Sequence, residues 1–518
     1  MIRCDSAHEA VSLAVGTIGR RVFAMSPIGV GSGNRYLNEL AERAKREEID
    51  LSVFAALTLG RPKPPEDNPV LASVFRRIYG DYTTFHYLDE CESAASSGRP
   101  IPDYLTYHSY YYAPGLERRI PGMQHDYLAV NFRDASECAR DRGMNMVVMK
   151  ASFRNGRFNC GTNVDIMLRA IRDVKKNGGV VLLLENARMP YACGNADIPL
   201  ECVDYVVRDD EPLFVMPHQA LTVLEHSIGS YVADIVPDGA TLQLGIGQMA
   251  DAISFWLARR GRTDINGYSE LISPGFLYLI RNGVITRHDE NNVLLTGAFI
   301  VGTEELYRYV DGNPYVRMTE VHETNNKKYI ERLPRFHGIN STLQMDLFSQ
   351  ASSEGFFQGH RFVQYTGIGG QFEFQESAMR SEGGKSILCL RSCLRDDDGS
   401  PVMSNIVPCL HNVVGVPRNK IDHIVTEYGW RCLRFASMEE RARAMIELAD
   451  SAFQDDLLNA AHDMGLVRPG YRVPGEFRDN TYESLVRKMG AAARDYSLPL
   501  GAGIDLERHA SPEELSPL

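Results

Sequence analysis

Residues 241–283 read TLQLGIGQMADAISFWLARRGRTDINGYSELISPGFLYLIRNG. The run TLQL has the composition of a buried strand, Gly245-Ile246-Gly247 supplies a tight turn, and the following residues place apolar side chains at helical spacing. Strand, glycine turn and helix in that order form the repeating unit of an α/β fold with parallel strands. Beyond the helix, Gly267-Tyr268-Ser269-Glu270 leads into a second helical run, which sets a lone acid close to the glycine turn in sequence.

The same unit recurs upstream. A strand over 21–25 runs into Pro27-Ile28-Gly29-Val30-Gly31-Ser32-Gly33, and a helix over 34–47 follows. Ahead of it, Ser6 and Glu9 have capping-box spacing and begin a first helix. Strands are expected at 49–57, 127–132, 144–151, 180–185 and 203–207, with helices at 136–142 and 164–176; this alternation predicts a largely parallel sheet with crossover helices. The acidic stretch 208–212 reads as a linker, and a helix starting at His218 opens a second series. That series has strands at 293–301, 386–390 and 421–426 and helices at 303–310, 438–449 and 482–494. The expected architecture is two tandem open α/β domains, residues 1–215 and 216–518, with a surface tail from about 499. Both halves follow one plan, so a duplicated architecture is plausible. Residues 60–122 show no clear periodicity, and the tyrosines of 104–112 read as packed amphipathic side chains in preference to a substrate wall.

Composition narrows the function. The 518 residues are 44% hydrophobic and 24% charged with a formal net charge of -12, which gives no electrostatic footprint for nucleic acid. No apolar run is long enough to span a bilayer, and the N-terminus lacks a signal-peptide pattern. Ten scattered cysteines suit reduced thiols and a cytoplasmic location. Cys389 and Cys393 read as packing residues.

Gly245-Ile246-Gly247-Gln248-Met249-Ala250 fits the G-x-G-x-x-A dinucleotide pattern, and Asp264 follows at about the 20-residue interval of a ribose-binding acid. A nicotinamide dehydrogenase is therefore one reading, although Arg262 to Gly267 resembles a loop more than a strand end. Glu270 offers another. A carboxylate is a weak nucleophile, useful chiefly against an activated acyl group in a water-poor site. Gly369-Gly370-Gln371 can bring backbone N–H groups to an oxyanion. There is no HExxH, GxSxG or GxxxxGK[ST] motif, and Lys385 reads as a strand-edge lysine facing water. Asp396-Asp397-Asp398 with Gly399 reads as a solvated turn.

Taken together, DGATLQLGIG (238–247), GYSELIS (267–273), Ile339-Asn340-Ser341, GIGGQ (367–371) and IVTEYG (424–429) resemble the acetyl-CoA hydrolase/transferase family, including 4-hydroxybutyrate and acetate CoA-transferases. The resemblance runs from the first glycine loop to about Ala449. It implies two CoA-transferase-type α/β domains with the active site between them. By that likeness Glu270 is the catalytic glutamate, and Gly245, Ile246, Gly247, Gln248 and Met249 form the CoA-contacting loop. Asn340 and Gly370 stand beside the acyl carbonyl, Thr366, Gly369 and Gly370 contribute to the CoA site, and Arg395 falls near a basic CoA-contacting position. Glu373 departs from the family's usual Asp, and the tyrosine-rich segment matches the family poorly. The implied reaction moves CoA from a short-chain acyl-CoA to a free carboxylate such as acetate, with no permanently bound cofactor and no metal. The resemblance further implies a homodimer or larger homo-oligomer. Acyl-CoA hydrolysis at the same site is the nearest rival, and a non-catalytic acyl-CoA-binding protein a third reading.

Overall fold

A computed structural model describes residues 1–62, 69–217, 220–396 and 398–496. His218, Asp397 and the tail from 499 lie outside the described residues. Two large sheets carry the fold, one built from strands before residue 209 and one from strands after residue 240.

In the first sheet the spatial order is Ile2–Arg3, Tyr205–Arg208, Val180–Glu185, Met146–Arg154, Arg21–Met25, Asp50–Phe54, Thr106–His108, and every neighbouring pair is parallel. After the edge strand Ile2–Arg3 the chain passes to the central Arg21–Met25, steps outward twice, then returns to the other side. The second sheet repeats this course: from Thr241–Gln243 it steps outward through Asn266–Tyr268, Leu295–Gly297 and Val316–Met318, then crosses back to Phe336–Ser341, Lys385–Cys389 and His423–Thr426. Its last strand, Gly429–Cys432, is antiparallel. The two sheets share the plan of a central strand, outward steps and a return across it, and differ by one outward strand and by the strand at the far edge. Such doubly wound sheets place ligands outside the carboxyl ends of the strands, where the winding reverses.

Helices cover these sheets, and burial explains the apolar runs: Val180–Glu185 is VVLLLE because a central parallel strand is covered on both faces. One hydrophobic cluster extends from Phe23 in the first half to Val425 in the second. Short bridges cross the boundary at Asn163 with Phe299, Gly194 with Met318 and Tyr111 with Gly367.

Three expectations need correction. Residues 127–132 alternate like a strand, yet only Tyr127 makes a bridge, to Ser109, and Phe132–Asp134 is a 3-10 turn. Phe132 is buried by ring contacts with Tyr110 and Phe299 instead of by a ladder. The expected strand 293–301 breaks at Ala298, because the N–H groups of Ala298 and Phe299 both bond the Glu270 carbonyl, at 2.8 and 3.0 Å. Leu295–Gly297 stays in the large sheet, while Phe299–Ile300 pairs with Leu271–Ile272. Within 60–122, helices Pro69–Tyr79 and His86–Ser96 form where no periodicity was evident.

Candidate active site

The second sheet's winding reverses between Thr241–Gln243 and Phe336–Ser341. Across that point Asn340 Nδ2 donates to Gln243 Oε1 at 3.1 Å. Directly beyond Gln243 comes the glycine turn, and then helix Gln248–Arg259, with Gly247 at its N-cap (φ 94). A Cβ at Gly245 would meet no atom within 4 Å, so this wall of the cleft is open to a ligand. Helix N-termini of this kind present free N–H groups to anions.

Glu270 follows the neighbouring strand Asn266–Tyr268 at its carboxyl end. Its position is fixed from both sides: the preceding residue, Ser269, donates from Oγ to the Leu244 carbonyl at 3.1 Å, and its own carbonyl takes the two N–H bonds from Ala298 and Phe299. Glycine turn and acid are therefore tied together by a side chain that is fully buried. The carboxylate accepts from Asn325 Nδ2 at 2.7 Å, and the Gly370 backbone N–H lies near enough to favour its charged form. Asn325 is itself buried, and Thr324 Oγ1 donates to its Oδ1 at 2.9 Å, turning the amide so that its N–H faces Glu270.

Burial pushes the Glu270 carboxyl up to about 7, the nearby Glu373 carboxylate adds to the rise, and the Asn325 hydrogen bond and the Gly370 N–H oppose it. No lysine or arginine among the described residues offsets this burial at Glu270. Glu373 lies in the first turn of helix Gln371–Arg380, whose N-cap is Gly370. That glycine is required sterically: a Cβ there would lie 2.2 Å from Glu270 Oε2 and 2.3 Å from Asn325 Nδ2.

Of the residues singled out from sequence, Glu270, Gly369 and Gly370 come together here, with the loop Gly245 to Met249 anchored alongside. Asn340 is engaged by Gln243, and the amide on Glu270 belongs to Asn325. Sequence reading passed over Asn325; its signal was a pair of asparagines, Asn325-Asn326, between two four-residue helices. Thr366 turns its hydroxyl to the Ser353 carbonyl at 3.1 Å. Arg395 pairs with Asp450, donates to Tyr428 Oη at 2.6 Å and lies over the Tyr482 ring, so its guanidinium is committed within the protein. Lys385 lies on an interior strand and not at an edge; it is half-buried and donates to the Ile235 carbonyl at 3.0 Å. Cys389 and Cys393 are buried packing residues, as read. The dinucleotide reading loses its acid, because Asp264 precedes strand Asn266–Tyr268, at the amino ends of the parallel strands and away from the glycine turn at their carboxyl ends. The tyrosine-rich segment divides: Tyr107, Tyr110 and Tyr112 are core residues, whereas Tyr111 is partly exposed beside Gly369.

Known proteins resemble the chain in sequence and in fold. A family model for the acetyl-CoA hydrolase/transferase C-terminal domain matches residues 302–461. The chain is 34% identical over 286 residues to a 4-hydroxybutyrate coenzyme A transferase of Clostridium kluyveri, an alignment covering 54% of this chain and 64% of that protein. It therefore spans slightly under two thirds of that relative. With a butyryl-CoA:acetate CoA-transferase of Anaerostipes caccae it shares 30% identity over 366 residues, 69% of this chain and 78% of the other. Among solved structures, RipA from Yersinia pestis superposes with a TM-score of 0.72 at 27% identity, covering 90% of this chain and 98% of RipA. A 4-hydroxybutyrate CoA-transferase of Porphyromonas gingivalis gives 0.65 at 26% identity, covering 89% and 97%.

Proposed function

Because the chain belongs to the acetyl-CoA hydrolase/transferase family, we propose that it transfers CoA from a short-chain acyl-CoA to a free carboxylate, with Glu270 as the nucleophile. The observation that carries this reading is the Glu270 carboxylate itself: half-buried at a strand's carboxyl end, held by Asn325 and beside Gly370, and poised near neutrality at about 7. A carboxylate stripped of water attacks a thioester more readily than one in solvent, and near neutral pH a substantial fraction is ionised.

Attack by a Glu270 oxygen on the thioester carbonyl forms an acyl-glutamyl anhydride and releases CoA thiolate. The thiolate then attacks the Glu270 carbonyl, giving a glutamyl-CoA thioester and freeing the first acid. A second carboxylate reverses these two steps and leaves as its CoA ester. Each tetrahedral intermediate carries an oxyanion, and the Gly370 N–H is the backbone donor within reach of it; such a donor contributes about 3 to 4 kcal/mol to the barrier. The open glycine turn at Gly245 to Met249 suits the CoA end of the substrate, where binding energy can drive the reacting end into place.

Trapping tests the reading. After incubation with acetyl-CoA, borohydride is expected to inactivate the protein and change the mass of the peptide carrying Glu270. Full turnover with an unmodified Glu270 would exclude the covalent route, and CoA release equally fast with and without an acceptor acid would assign the site to hydrolysis.

A further inference from the structure

A carboxylic acid must approach Glu270 as an anion, in a cleft where the charged neighbour, Glu373, is another carboxyl group. Lys327 and Arg133 act on Glu373, so at Glu270 itself the groups suited to hold an anion are neutral donors. Of those at hand, Asn325 and the Gly370 N–H are already directed at Glu270.

Tyr111 supplies a third. Two contacts bring this residue of the first half to the site: its carbonyl accepts from the Leu57 N–H at 2.7 Å, and its backbone bridges to Gly367 at the start of the GIGGQ segment. The ring then lies against Gly369, with Cε2 3.4 Å from where a Cβ on that glycine would stand. Three neighbours in the same segment use their hydroxyls inside the protein, and the fourth, Tyr110, is fully buried with its ring stacked on Phe54 and Phe132, so its hydroxyl, unpartnered among the described residues, is closed to a ligand. Tyr104 donates to Glu90, Tyr107 bonds Thr58 at 2.7 Å, and Tyr112 donates to the Met123 carbonyl at 2.6 Å. The Tyr111 hydroxyl has no hydrogen-bond partner among the described residues, and the side chain is partly open to the cleft. Burial and the charge of Glu270 push its phenol up to about 12, which keeps the proton on oxygen throughout the working range.

We propose that the Tyr111 hydroxyl is the donor that holds the free carboxylate of the acid substrate beside Glu270, an assignment that rests on the CoA-transfer reading above. The sequence of charges fits this role. Free Glu270 repels an incoming acid, whereas Glu270 carried as a thioester is neutral and admits it. One oxygen of the acid then attacks the glutamyl thioester carbonyl, the C–S bond breaks, and the electron pair leaves on the CoA thiolate. The other oxygen keeps the Tyr111 hydrogen bond, and no proton changes hands.

Tyr111→Phe removes the hydroxyl and keeps the ring. Steady-state kinetics of this variant with acetyl-CoA and a short-chain acceptor acid should show the KM for the acid raised about tenfold or more, the span of a hydrogen bond to a charged group. Product inhibition by the free acid should weaken in parallel, while the KM for acetyl-CoA stays within about threefold. An unchanged acid KM, or equal rises for acid and acetyl-CoA, would overturn the assignment. Borohydride labelling of Glu270 in the unaltered protein separates the two levels: its failure counts against the covalent route, whereas labelling with an unmoved acid KM counts against Tyr111 alone.

Discussion

Asn325 Nδ2 stands 2.7 Å from Glu270 Oε2, in a hydrogen bond that favours the charged carboxylate against the burial that disfavours it. Removing the amide leaves burial and the Glu373 charge unopposed by that bond, so the Glu270 carboxyl should titrate higher than about 7. If turnover needs the ionised acid, kcat/KM for acyl-CoA should rise with pH through the wild-type value. In Asn325→Ala that limb should move upward by about one unit or more, as expected for a hydrogen bond to a charged group. A pH–rate profile checks the shift, and an unmoved limb would remove Asn325 from the balance.

Gly370 and Gly245 should respond in opposite ways to the same substitution. A Cβ at Gly370 would overlap both Glu270 Oε2 and Asn325 Nδ2, so Gly370→Ala should cost about a hundredfold or more in kcat by displacing the pair and its backbone donor. A Cβ at Gly245 meets nothing in the protein, so Gly245→Ala should melt within about 2 °C of wild type. Its effect should appear in the KM for acyl-CoA, because the methyl group intrudes on the space available to ligand. Melting curves alongside kinetics separate the two cases.

Arg395 was assigned by resemblance to CoA, but its guanidinium is paired with Asp450 and hydrogen-bonded to Tyr428, with its side chain 7% exposed. Breaking a buried pair by removing one partner typically costs about 3 to 5 kcal/mol. Arg395→Met should therefore lower the melting temperature by several degrees while leaving the KM for acyl-CoA close to wild type. A large rise in that KM at unchanged stability would return Arg395 to the binding site.

The strand, glycine turn and helix of residues 241–283 were legible because each has a local cause: a buried apolar run, a positive φ at Gly247 and helical spacing of apolar residues. The same holds for Arg21–Met25 and Val180–Glu185, found at their expected bounds. What local pattern did not carry is pairing at a distance. Residues 127–132 alternate well enough for a strand but face rings from elsewhere, and Ala298 breaks a continuous apolar run because a carbonyl 28 residues earlier, that of Glu270, takes two successive N–H groups. Asn325 was missed for the same reason: 55 residues separate it from Glu270, and the Asn325-Asn326 pair marks a polar turn without marking its partner. Arg395 is the reverse case, since a position near a motif does not reveal that Asp450 and Tyr428 engage its guanidinium.

Stability should register the cost of keeping Glu270 buried. In the folded protein its carboxyl is raised from 4.5 to about 7, so across that interval the unfolded chain has lost the proton while the native state retains it. Because the native state then binds more protons, stability falls as pH rises from about 4.5 to about 7 and is level beyond, with the full contribution present only at lower pH. Glu270→Gln deletes this titration while preserving an acceptor for Asn325. The variant should thus gain stability over wild type at pH 8, by an amount on the order of 1 to 3 kcal/mol, and the gain should shrink toward zero near pH 4. Asp165 is also raised to about 7 by burial, but it is present in both proteins and cancels from the difference. Denaturant unfolding of the two proteins at pH 5 and pH 8 measures the effect. A gain at pH 8 accompanied by complete loss of acyl transfer would mark Glu270 as a residue kept for chemistry at the expense of stability; a difference independent of pH would mean that its carboxyl is not held neutral by the fold.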